Sequence, residues 1–347
     1  MHHFIYSTKD AWISSGSSHI DGTSFKDQNF GQDEILEIKK VFWNTSFDYQ
    51  TRTLVSFAGT EFTNMSQSIV AGDITNPKFY LRLYEAAGNQ ELSTEYKLAA
   101  FPLSQSWDEG TGKFGDSPKV TNGVSWENRN YYPGNSAVTW SLAGGSSQHG
   151  GNYIIGSGNQ ASQSFSYEAP DINMDVTDIV NNWLNGTNNN HGFLLRFSGS
   201  QETDNQTFGQ LKFFSNQTNT IYAPKLEIRW DDHKPCTGSN TGSLLPMTSS
   251  GEEDYIVYMK GLREHYKDTE KVRFRVMPRK RYIQKTFSTS VQTVTGSFIP
   301  ESSGSYSIVD LSTGETVVPF SSYTSMSCDS TSNYFNQWMN GFYPNRA

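Results

Sequence analysis

Two adjacent carboxylates, Asp108 and Glu109, follow Trp107 in a stretch bounded by glycine, and Asp116 and Glu127 lie nearby. A pair of Asp or Glu side chains suffices for glycoside hydrolysis, one as acid on the leaving oxygen and the other as base or nucleophile. Trp107, Trp126, Tyr131 and Tyr132 would then serve as stacking platforms, and they are the candidate glycan contacts. The competing reading is favoured: these are solvated loop carboxylates beside aromatics that pin the loop to a β-core. It assigns no catalytic residue.

Other chemistries lack their residues. The histidines fall at 2, 3, 19, 149, 191, 233 and 265, with no His-x-x-x-His, no His-Glu-x-x-His and no Cys-x-x-Cys. Neither a transition-metal site nor any cofactor is therefore expected. No Asp-x-Asp-x-Asp-Gly run is present, although scattered Asp and Asn leave a Ca²⁺ site open. Gly-x-Ser-x-Gly, the phosphate-cradling Gly-x-x-x-x-Gly-Lys-Ser/Thr and a strand-bound Gly-x-Gly-x-x-Gly are all missing, so acyl-transfer and nucleotide chemistry have no anchor. Cys236 and Cys328 cannot make a disulfide framework; two free thiols are expected unless the fold brings them together.

Charge is more informative. The net charge of −8 makes the whole molecule a poor ligand for a polyanion. Between 260 and 285, however, ten basic residues face three acidic ones. Strand geometry puts Arg273 and Arg275 on one face and Val272, Phe274 and Val276 on the other. Arg273, Arg275, Arg279, Lys280 and Arg281 are the candidate docking surface, suited to an acidic neighbouring protein; a solvated outer strand face is the equal alternative. Nucleic acid ranks third, because only Tyr266 and Tyr282 interleave with the cations.

The elements that must position these residues are mostly strands. Of 347 residues, 35% are hydrophobic, 14% aromatic and 18% charged, which excludes disorder and, with no apolar run near eighteen residues, a membrane span. The first residues carry no secretion-signal pattern, so synthesis in a cytoplasm is expected. Apolar and polar residues alternate in Arg52–Phe57, Phe79–Tyr84 and Leu226–Trp230; Tyr96–Pro102 reads as the hairpin partner of Phe79–Tyr84 across the turn at Ala87-Gly88-Asn89. Trp107–Ser166 reads as extended loops with few strands.

One segment is helical. Val176, Ile179, Val180, Trp183 and Leu184 form a single apolar stripe, with Asp175 as N-cap and Gly186 in the left-handed position beyond the end. Polar, Gly-rich residues 231–254 read as a linker. Beyond it come further strands at Tyr255–Met259, Lys271–Met277, Tyr282–Phe287, Ser305–Leu311 and Thr316–Phe320. The length of this second unit suits an immunoglobulin-like sandwich.

Taken together, residues 1–230 resemble the DNRLRE (disaggregatase-related) β-sandwich domain, which is also grouped with carbohydrate-binding modules. The resemblance runs through Thr8–Ile13, Asn29-Phe30-Gly31, Arg52–Phe57, Phe79–Tyr84, Ser106–Gly110, the helix from Asp175 to Gly186, His191-Gly192-Phe193 and Ala223–Ile228. In the second unit, Tyr282–Ser290, Pro319–Tyr323 and Tyr334–Trp338 look like segments of a virion structural protein of contractile-tailed phages of marine bacteria.

The resemblance implies an all-β chain: a jelly-roll-like β-sandwich with one short helix at 1–230, the linker at 231–254, and a smaller immunoglobulin-like β-sandwich at 255–347. The last of these ends right after a helix-like stretch where another strand or two would be needed, supplied either by a segment missing from this chain or by a partner strand. It implies a particle component in the neck, tail or a surface appendage, localised to the virion. Its partners would be other virion proteins, symmetric copies of itself and, in the alternative of an adhesin, a host surface glycan. It carries no enzyme activity and no membrane insertion.

Overall fold

The computed structural model describes residues 1–88, 95–141, 149–166, 171–248, 254–282, 287, 289–292 and 294–342. Among these residues the chain is mostly β with two short helices, and it divides into two compact units. The larger comprises 5–71 and 78–227; the smaller comprises 1–4, 72–77 and 228–347. The architecture is consistent with β-sandwich domains: one large curled antiparallel sheet and several smaller ones.

The large sheet holds β2 (Lys9–Ser14), β3 (Ile35–Trp43), β4 (Ser46–Ser56), β6 (Glu85–Gly88), β7 (Glu95–Pro102), β10 (Ala161–Ser166), β12 (Phe193–Phe197) and β13 (Gly209–Phe214). Its order is β10-β7-β12-β4-β3-β13-β6, with β2 also on β4. A second sheet, β1-β14-β5-β11, is formed by β1 (His2–Tyr6), β5 (Lys78–Leu83), β11 (Ile172–Asp175) and β14 (Lys225–Arg229). β8 (Asn128–Asn130) and β9 (Val138–Thr139) make a small ladder in the otherwise loop-like region from Trp107.

Strict alternation of buried and half-buried residues along β13 and β3 matches their register, Leu211 opposite Ile38 and Phe213 opposite Leu36. One expected pairing is different. Tyr96–Pro102 does not pair with Phe79–Leu83; β7 lies between β10 and β12, while β5 lies between β14 and β11. Both are alternating strands, and period alone cannot say which sheet a strand joins.

Helix α2 (Thr177–Leu184) buries Ile179, Val180 and Trp183, and Gly186 takes φ +75°. Trp183 packs on Phe193 at 4.7 Å. Asp175 acts one residue early: its Oδ1 accepts the Thr177 N–H at 2.9 Å, and Val176 occupies the cap position. The expectation of a single helix is corrected by α1 (Thr60–Val70), a Ser, Thr and Asn-rich segment that buries only Met65 fully. Its stripe, Phe62, Met65 and Ile69, is too sparse to stand out from the polar background.

In the smaller unit, β15 (Leu245–Pro246) runs parallel to β18 (Ser297–Phe298), and β19 (Ile308–Val309) pairs with β20 (Thr316–Val318). The main sheet is β16-β17-β22-β21, from β16 (Tyr255–Lys260), β17 (Lys271–Lys280), β21 (Ser327–Cys328) and β22 (Asn333–Trp338). Tyr334–Trp338 lies in β22, a strand of this sheet. Phe335 stacks with Tyr306 at 4.0 Å and with Phe274 at 5.2 Å, contacts that a sheet face supplies. Of the expected strand Tyr282–Phe287, residues 283–286 lie outside the described residues.

Residues 231–248, expected as linker, carry one half of a disulfide. Cys236 and Cys328, expected as free thiols, are bonded to each other, with Phe298 and Leu244 packed around them. The bond closes a loop with a sequence separation of 92. Loop-closure entropy of that size stabilises the folded chain by ~4–5 kcal/mol. Denaturant titration of Cys236→Ser with Cys328→Ser should show a loss approaching that amount, matched by wild type under reductant and absent between wild type and mutant once both are reduced.

Candidate functional site

The loop bearing Asp108 and Glu109 is fixed by Asn29, which is fully buried. Its Nδ2 donates to the carbonyls of Glu109 and Val124, both at 2.7 Å; its Oδ1 accepts the N–H of Gly112 at 2.8 Å and of Gly31 at 3.2 Å. Gly31 is required by contact: a Cβ there would lie 2.0 Å from the Glu109 carbonyl oxygen.

So held, Trp107 is only 1% exposed and donates its indole N–H to the His191 carbonyl at 3.0 Å. Trp126 is also buried, with the Arg52 guanidinium 5.0 Å from its ring. Both belong to one core cluster with Trp140, Leu54 and Leu194. Neither face is open to a sugar, so these two candidate glycan contacts are corrected to core residues; Tyr131 is half-buried and Tyr132 exposed. Both indoles point into the protein, where their large apolar area contributes most to stability.

Glu109 is committed internally. Its Oε1 accepts the Asp10 N–H at 3.0 Å. Asp10 is fully buried, its Oδ2 accepting Asn216 N–H at 2.8 Å and Ser7 Oγ–H at 3.2 Å, while Oδ1 has no protein partner. Burial raises the Asp10 pKa to about 7, helped by the neighbouring Glu109 charge, and burial raises Glu109 as well. Lys9 donates to the Trp107 carbonyl and sits 4.5 Å over its ring. Burial lowers its pKa, against the pull of Asp108 and Glu109. The cluster can hold a proton at neutral pH. Among the described residues no group of three or more His, Cys, Asp or Glu could hold a metal. Asp116 accepts the Lys113 N–H at 2.6 Å, which closes its own turn.

The candidate docking cations divide into two sets. The Arg275 guanidinium bonds Asp329 at 2.9 and 3.0 Å and Ser332 at 3.0 Å; Arg273 bonds Asn336 at 3.1 Å, lies 3.8 Å from Asp329 and stacks on Tyr334. Those two serve the sheet. Arg279, Lys280 and Arg281 are exposed, with no carboxylate partner among the described residues. The ten-to-three ratio found the segment; it could not reveal that Arg273 and Arg275 share the Asp329 carboxylate.

Sequence reasoning missed a groove of about 680 Å³ at the tip of the β3–β4 hairpin, lined by Lys39, Phe42, Asn205, Phe208 and Gln210. At the end of β3 Trp43 is 53% exposed and packs on His19, whose Nε2 meets Asp48 at 2.8 Å. The available signal was Phe42-Trp43-Asn44-Thr45-Ser46-Phe47: aromatics around a polar turn, with Asn44 and Thr45 at positive φ. No protein-family model and no curated protein matches the chain.

The buried carboxyl has a sign-definite consequence. Asp10 has a folded pKa of about 7 against an ordinary value of 3.8, so between these values the native state binds more protons than the unfolded chain. Stability contributed here is complete below pH 4, falls as pH rises to about 7, and is flat above. Urea midpoints between pH 4 and 8 should decline for wild type and decline less for Asp10→Asn, which keeps the two accepted hydrogen bonds on its amide oxygen; identical profiles would place the proton elsewhere.

Proposed function

We propose that the chain is a non-catalytic bacteriophage virion structural protein, in the neck, tail or a surface appendage, acting by protein–protein docking. In this reading the larger unit is a DNRLRE-like jelly-roll β-sandwich and the smaller one an immunoglobulin-like sandwich. The observation that carries it is the division of polar groups. Residues suited to catalysis or sugar stacking are committed to the fold: Trp107 and Trp126 are in the core, and Glu109 is bound to the Asp10 amide. Arg279 and Lys280 at the end of β17, with Arg281 just beyond it, stand exposed with no carboxylate partner among the described residues. Exposed like charges left unpaired favour an acidic partner and a salt-sensitive contact. The virion setting is supported by the resemblance of Pro319–Tyr323 and Tyr334–Trp338 described above.

Mass spectrometry of purified particles should find the chain at a fixed copy number. Reversing Arg279, Lys280 and Arg281 to Glu should leave the purified chain folded and reduce its incorporation at least ten-fold, with wild-type incorporation itself weakening in high salt. Particles that lack the chain overturn the assignment.

A second reading, a carbohydrate-binding adhesin, is favoured by one specific observation: the half-exposed Trp43 ring at the end of β3, next to the hairpin turn. An exposed aromatic face matches the apolar face of a pyranose ring. Titration of tryptophan fluorescence with host polysaccharide would then saturate, and Trp43→Ala would abolish the response while Tyr132→Ala would not. No change in fluorescence with any host polysaccharide removes this reading.

A further inference from the structure

The hairpin β16–β17 ends in an open edge. Among the described residues β16 pairs only with β17, and Val257, Tyr258 and Met259 are 52%, 39% and 40% exposed. The strand has no Pro, and its one charge, Lys260, stands at its last position, so Tyr255–Met259 carry no charge that would blunt the edge.

The direction of its unpaired groups follows from the register. Val257 stands opposite Pro278, which has no N–H to donate, and Arg281 N–H donates to the Asp254 carbonyl. Antiparallel pairs alternate between bonded and non-bonded. Asp254, Ile256, Tyr258 and Lys260 therefore bond to β17, and Tyr255, Val257 and Met259 turn their N–H and C=O groups to the open side.

We propose that this edge pairs with β16 of a second copy, antiparallel, about a two-fold axis through Val257. The sequence is self-complementary about that residue. Val257 meets its own copy in a bonded pair, as outward-facing groups at the axis require. Tyr255 meets Met259 of the second copy, and Ile256 meets Tyr258. Asp254, which is exposed, meets Lys260 in the closer, non-bonded geometry at each end. Within its own sheet Lys260 faces the cation Arg275, so the second copy supplies the opposite charge that β17 does not. Antiparallel pairing also sends the Arg279–Arg281 clusters of the two copies to opposite ends of the joint sheet, which keeps like charges apart.

One six-residue strand per copy buries little area, so the association is weak in dilute solution and strengthened where an assembly holds copies close. This deepens the docking reading by naming one partner as the chain itself. It is tested separately, because the oligomeric state of the purified chain does not depend on its presence in a particle.

Sedimentation equilibrium of the full chain from micromolar to several hundred micromolar should give a monomer–dimer equilibrium. Val257→Pro removes the central outward N–H and none of the β16–β17 bonds, and should weaken dimerisation at least ten-fold with an unchanged circular dichroism spectrum. Asp254→Lys and Lys260→Asp should each weaken it, and the double exchange should restore it, a recovery that misfolding cannot produce. A chain that stays monomeric throughout, a dimer indifferent to Val257→Pro, or a double exchange that fails to recover overturns the proposal. So does a monomeric chain whose edge pairs only with a different particle protein.

Discussion

The larger unit depends on Asn29. One amide side chain, shut away from water, joins four main-chain groups from three separate parts of the sequence: Gly31, Glu109 with Gly112, and Val124. A buried amide is favourable only when its donors and acceptor are all used, and here they are. The loop after Trp107 has little regular structure of its own. Its shape comes from this residue, and the burial of Trp107, the inward turn of Glu109 and the environment of Asp10 follow from it.

The same economy recurs elsewhere in a chain with only 35% hydrophobic residues. Glu202 is buried and bridges Arg52 at 2.7 Å and Arg196 at 2.6 Å, while those guanidinium groups lie over Trp126 and Phe101. Lys40 is buried too, with its ammonium on the carbonyls of Gln201 and Asp204 and on the Asp204 carboxylate. Burial pushes the Asp204 carboxyl up, but the Lys40 hydrogen bond and those donated by the Thr207 N–H, the Gln206 N–H and the Thr207 hydroxyl hold it at about 2. Such sites gain little net stability over apolar packing, but removing one partner leaves a buried charge unpaired. They select one register among the many that alternating, polar strands would allow.

That explains which parts of the fold were legible in the sequence. Local pattern was enough for the strand at Arg52–Phe57, for the helix from Thr177 and for the left-handed Gly186, because each is decided by residues within one or two turns. Non-local choices were not legible. β7 joined the large sheet and not its sequence neighbour, Cys236 met Cys328 across 92 positions, and Tyr334–Trp338 became a central strand because β17 and β21 flank it. The candidate site suffered in the same way. Trp107 and Trp126 share one core cluster, and whether an aromatic faces solvent depends on Asn29 and Arg52, far away in the chain.

A polar or aromatic side chain that serves the core is withdrawn from ligands, and this separates the surfaces of the molecule more sharply than residue type does. Arg273 and Arg275 have the same chemistry as Arg279 and Arg281, yet Asp329 neutralises the first two and nothing among the described residues neutralises the others. Trp43 has the chemistry of Trp107, yet one is half exposed at a hairpin tip and the other is closed off. Among the described residues the fold leaves exposed a hairpin tip, a cationic strand end and a sheet edge, and each offers area, charge or main-chain hydrogen bonds.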